Sequence, residues 1–204
     1  MTDRENRATA RRLLEEHGRT FADEAGIRLR DTPAPLYQLS VLSMLSSAPI
    51  RGHVAMATAR ELFTAGWRTP ARMVGSTWQQ RVDVLGRGGY RRYDESTSTA
   101  LADAAQLILD TWNGDLRKLR AEAGRDPAGI RERLRTLPRI GPTGADIFCR
   151  EAQGIWPELR PAFDKRARDG AGKAGLPATP DRLAALVPPD DLPRLAAALV
   201  RITL

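Results

Sequence analysis

The sequence predicts an all-α protein, and three observations carry that reading. Strand signals are absent: no run alternates Val, Ile, Thr or Tyr with polar residues between hairpin turns. A side-chain oxygen precedes proline at Thr69-Pro70, Asp126-Pro127 and Thr179-Pro180, a pairing that starts helices because proline has no N–H to leave unsatisfied. Apolar residues recur at helical spacing, as in Trp78, Val82 and Leu85 before Gly86, in Leu101, Ala104, Ala105, Ile108 and Trp112 before Asn113-Gly114, and in Leu195, Leu199 and Ile202. Together these signals predict about nine or ten short helices.

In chain order, an N-terminal helical piece with polar faces comes first, and residues 31–35 read as a linker. Residues 36–45, LYQLSVLSML, are apolar on nearly all sides, so they form a central helix with others around it. Trp67, Trp78, Trp112 and Trp156 read as core, His53 as a helix-surface or packing residue, and Cys149 as a buried thiol.

The 204 residues allow one domain or two small lobes, with 42% apolar and 28% charged residues in a globular balance. No apolar stretch approaches a membrane span, and the polar N-terminus does not read as a signal peptide. One cysteine and two histidines exclude an intrachain disulfide, a cysteine-ligated iron–sulfur cluster and a multi-histidine metal centre. Rossmann and Walker motifs are absent. The net charge of +7 favours a polyanion partner, nucleic acid first, in a reducing cytoplasm. An arginine- and alanine-rich composition is the competing source of that charge, and it leaves open a helical interaction protein.

The most informative stretch is LRTLPRIGPTGADIF, residues 134–148. A helix, a tight turn with Pro138 and Gly141, and a second helix opening at Pro142 form a helix–hairpin–helix pattern, with Leu134, Leu137 and Ile140 packing against Ala145 and Phe148. Gly141 permits close approach of a ligand to amides at the positive end of the second helix, which suits a phosphate oxygen. An ordinary αα-corner has the same local signature. Further on, Asp164 precedes Lys165, Arg166 and Arg168. It reads either as a plain N-cap or as a carboxylate placed where positive charge develops near DNA.

These segments resemble the helix–hairpin–helix DNA glycosylases of the endonuclease III type. LPRIGPTGA is similar to the family's LPGVGRKTA, and PAFDKRARDGAGKAGL to its VDTHVxRVxNRLGL. SVLSMLSSAPI is similar to the opening LLSAQ helix, and the segment from Leu85 to Tyr90 to IGLY/GFY. The matches keep family order over residues 36–200. The resemblance implies two helical lobes, residues 36–156 and residues 1–35 with 157–204, and a DNA-binding cleft. It implies Asp164 as the catalytic carboxylate for hydrolysis of the N-glycosidic bond of a flipped base. Arg139, Gly141, Thr143, Gly144, Lys165 and Arg166 would be the DNA contacts, with a monovalent cation at the hairpin. It further implies a monomer working on double-stranded DNA at the nucleoid.

The chain also departs from the pattern. Thr143 stands where the lysine nucleophile of bifunctional members lies, and Lys165 and Lys173 do not match that position; the expectation is a monofunctional glycosylase. The segment that would carry the iron–sulfur loop is missing, so no such cluster is expected. Arg139 replaces the hairpin's first glycine, and Ala48 or a neighbour replaces the glutamine that fills the space of a flipped base. A DNA-binding protein of the same fold without base excision is therefore the alternative. Residues 90–95, YRRYDE, offer Tyr90, Tyr93, Asp94 and Glu95 as base-pocket candidates, through stacking and hydrogen bonds; capping of the next helix by Asp94 or Glu95 is the other reading.

Overall fold

A computed structural model describes residues 2–204. The described residues form α-helices and short 3₁₀ turns, with no strand. The chain divides into two compact units, residues 25–148 and residues 1–24 with 149–204. The first division lies near residue 24 instead of the expected 35, because Ile27 is buried and Asp31 pairs with Arg120 at 3.0 Å inside the larger unit. The second lies at residue 148 instead of 156, because the side chains of Arg150, Glu151 and Gln153 all bond within the smaller unit.

The smaller unit begins with α1 (Asp3–His17), opened by a reciprocal capping box between Thr2 and Glu5, and α2 (Phe21–Glu24). In the larger unit, α3 (Pro33–Ser47) is central as its composition requires, with residues 36 to 45 all buried. Burial on every side leaves no water for its serines, so Ser40 and Ser43 donate back to the carbonyls of Tyr37 and Leu39. Around it lie α4 (Gly52–Thr64), α5 (Pro70–Val74), α6 (Trp78–Arg87), α7 (Asp94–Trp112), α8 (Leu116–Glu122) and α9 (Pro127–Leu134). Caps at Thr69 and Asp126 accept from Arg72 and Gly129 amides as expected. Gly86 does not end its helix: α6 continues to Arg87, and Gly88 is the C-cap, where it packs against Thr58.

The remaining helices are α10 (Pro142–Ala152), within which the two units meet in sequence, α11 (Lys165–Lys173), α12 (Pro180–Ala184) and α13 (Leu192–Arg201). These thirteen α-helices among the described residues exceed the expected nine or ten because four are of seven residues or fewer and lack a readable stripe. Within the smaller unit α13 packs on α1 and α11. Trp112 and Trp156 are core, whereas Trp78 is 42% exposed and its indole donates to Thr99 Oγ1. One apolar edge of a short amphipathic helix did not reach the core.

Candidate DNA-binding and catalytic site

The expected hairpin is present, formed by α9, a turn and α10. In the turn Ile140 N–H donates to Leu137 O at 3.0 Å, with Pro138 and Arg139 between them. Arg139 has φ +60°, which with proline before it is the pattern of a type II turn, where the third residue must be left-handed. An arginine in this conformation bears backbone strain of about 1 kcal/mol. It is held by partners: its guanidinium donates to Ser96 Oγ at 2.7 Å, and its carbonyl accepts from Ser47 Oγ. Arg139→Gly is accordingly expected to raise unfolding stability by about 0.5–1 kcal/mol. Urea unfolding of the variant checks this.

Leu137 and Ile140 are buried and seat the turn. Gly144 is buried too; a Cβ there would lie 3.2 Å from Ile140 Cγ2 and 3.5 Å from Ser47 Cβ, so this glycine lets α10 sit close against α3. Gly141, Pro142 and Thr143 are exposed. The helical ladder opens with Ala145 N–H donating to Gly141 O, which leaves the first-turn amides at the positive end of an exposed helix start.

The candidates in residues 90–95 fall apart into different roles. Tyr90 is 2% exposed and its hydroxyl donates to Leu45 O, so its ring is core and is not a stacking surface. Tyr93 sits half-buried at the N-cap position of α7, with the Arg92 guanidinium 5.4 Å from its ring centroid. Asp94 is the first residue of α7 and accepts from the Glu95 amide, Glu95 is exposed, and neither caps the helix, whose N-cap Tyr93 makes no side-chain cap bond. These residues share the larger unit with the hairpin, and the Ser96 contact of Arg139 ties the two segments.

Asp164 belongs to the smaller unit. It is the N-cap of α11, and its Oδ1 accepts from Ala167 N–H at 2.8 Å. Arg150 Nη1 donates to its Oδ2. The Asp164 side chain is 10% exposed and that of Arg150 is 5% exposed. Beside them Glu151 is fully buried, accepts from Ala22 N–H at 2.9 Å, and has its carboxyl pushed above the usual range by burial, against the opposing pull of Arg150. The expected contacts Lys165 and Arg166 are exposed, and Lys165 forms an i,i+4 pair with Asp169 at 2.7 Å. Gln153 orders the approach to Asp164, with its side-chain oxygen and amide both bonded to the backbone of Ala162.

Sequence reasoning passed over Arg150, Glu151, Gln153 and Phe21. The readable signal was Arg-Glu followed by Gln in the buried second helix of a hairpin, where aliphatic residues would be ordinary.

No family model matches the chain, and no curated protein matches it. Among solved structures it is similar to a trapped endonuclease III–DNA covalent intermediate, in an estranged-adenine complex, at TM-score 0.55 and 18% identity over 98% of this chain and 85% of that one. It is similar to a non-covalent endonuclease III–DNA complex at TM-score 0.57 and 17% identity, with the same coverage. The chain has the all-α endonuclease III fold.

Proposed function

We propose that this chain, on the endonuclease III fold, is a DNA-repair protein that grips duplex DNA by its backbone and excises a damaged or mismatched base as a monofunctional N-glycosylase. The observation that carries the proposal is Asp164, a carboxylate fixed at the N-terminus of α11 by the Ala167 amide. As the N-glycosidic bond breaks, the base leaves with the bonding electrons and positive charge builds on the sugar. A fixed carboxylate lowers the energy of that charge and orients the water that attacks C1′. Thr143 has no amine, so no Schiff base forms through that position and the strand stays intact at an abasic site.

The grip is assigned to the exposed start of α10, with Arg139 beside it. Among the described residues no group of three or more His, Cys, Asp or Glu side chains could hold a metal ion. A monovalent cation at the hairpin would therefore rest on backbone carbonyls of the turn. The reading is of a cytoplasmic, nucleoid-associated monomer that works without an iron–sulfur cluster.

The second reading, a DNA-binding protein of this fold without excision, draws on the cation of Arg150 against Asp164, which lowers the net field the carboxylate exerts. Incubation with a panel of modified-base and mismatched duplexes, followed by alkaline cleavage, separates the two. Alkali-labile sites support excision; duplex binding with a steep fall in affinity with salt and no such sites supports the second; no salt-dependent binding removes both.

Gly141→Val tests the grip. A Cβ at Gly141 meets nothing within 4 Å, and the residue lies outside the left-handed region, so the fold tolerates the change. The branched side chain stands where a phosphate would approach the amides. Duplex affinity is expected to fall about tenfold, equally for unrelated sequences, and unchanged affinity in a folded variant removes the helix start as the anchor.

A further inference from the structure

The Asp164 carboxylate is bonded at both oxygens, to the Ala167 amide through Oδ1 and to the Arg150 guanidinium through Oδ2. Arg150 reaches Oδ2 from α10 with its guanidinium anchored on other sides. Its Nε lies 3.5 Å from Glu151 Oε1, and its guanidinium carbon lies 5.0 Å from the centroid of the Phe21 ring. Phe21 in turn carries Arg201 at 4.5 Å, and Arg201 pairs with Glu24 at 2.6 Å. A buried cation is costly unless paired, and an aliphatic residue would fill the same space at lower cost. Among the described residues Arg150 Nε and Glu151 Oε1 share this ion-pair contact and have no hydrogen-bond partner.

We infer that Arg150 is a positioning residue for excision: it fixes the direction of the Asp164 carboxylate through Oδ2 while the Ala167 amide fixes Oδ1. The inference rests on the glycosylase reading. An aspartate held by one amide rotates about its last side-chain bond, a broad torsion. Two attachments, one to a helix backbone and one to an anchored guanidinium, leave one orientation. Each carboxylate oxygen has two acceptor sites, so each keeps one after these bonds. A carboxylate that must face a sugar carbon and its attacking water needs its direction set within about 10–20°.

Arg150→Met and Arg150→Lys test this on the full chain, with three readouts: single-turnover excision, duplex affinity and hydrogen exchange of the Ala167 amide. Arg150→Met is expected to lower the excision rate about 10²-fold, with duplex affinity unchanged. Protection of the Ala167 amide is expected to fall about tenfold while amides of α13 keep theirs. Arg150→Lys is expected to recover part of both. A merely structural role would lower the folded fraction and all protections together, without rescue by lysine. If Arg150→Met does not fold, because Glu151 is left buried without its cation, Arg150→Met with Glu151→Gln takes its place. An excision rate that is unchanged or raised, with Ala167 protection intact, overturns the inference while the glycosylase reading stands. If the wild type cuts no duplex, or Asp164→Asn cuts as fast as wild type, the glycosylase reading fails and the inference fails with it.

Discussion

Asp164→Asn is expected to lower single-turnover excision by about 10²–10³-fold, the usual loss when an electrostatic stabiliser is removed. Asparagine has nearly the same size and its carbonyl oxygen still accepts from the Ala167 amide, so the start of α11 survives. Duplex affinity is expected to hold, because the proposed grip lies in the other unit, at the hairpin. The substitution is not silent for the fold. It takes the countercharge from the buried Arg150, and breaking one side of a buried pair costs about 3 kcal/mol. Rates are therefore compared at equal folded fraction, measured by unfolding beforehand. Equal rates for the two proteins would take Asp164 out of the chemistry and put the binding-only reading ahead.

Gly170→Ala is expected to give a large loss of stability. Gly170 faces α13, and a Cβ there would collide with the Leu199 carbonyl, which is backbone and cannot swing aside. Helices α11 and α13 must then separate, at about 2–3 kcal/mol, the range for an overpacked core. Gly172 lies in the same helix, and a Cβ there would meet nothing within 4 Å. Gly172→Ala is expected to stabilise by about 0.5–1 kcal/mol through helix propensity. Urea unfolding of both variants, read as the midpoint at constant slope, tests the pair. Because α11 also carries Asp164, excision by Gly170→Ala is expected to fall even where the protein is fully folded. Two alanines of opposite sign in one helix would tie the seat of Asp164 to the contact with α13.

The hairpin was legible because its determinants are local. Proline at one turn position, apolar residues at helical spacing and a proline opening the next helix act within a few residues of one another. The same holds for the caps at Thr69, Asp126 and Asp164, and for the all-apolar α3. Tyr90 was misjudged for the opposite reason. Its neighbours in sequence are polar and glycine-rich, but its burial is set by α3, forty-five residues away at Leu45. Trp78 erred the other way, since a helical stripe states which residues share a face and not whether the face is covered.

By itself, the sequence determined the helical class, the hairpin, the N-cap at Asp164 and the lack of an amine at Thr143. All of these follow from side-chain chemistry and short-range backbone geometry. Tertiary structure alone decided that Arg139 holds a left-handed turn with Ser96 as its partner, that Gly144 and Gly170 are packing glycines, and that Arg150 ends on Asp164. Each of these depends on which surfaces meet. The partners lie fourteen to ninety-two residues apart or on separate helices, and such pairings are chosen by burial and close packing of the whole unit, which no local spacing records.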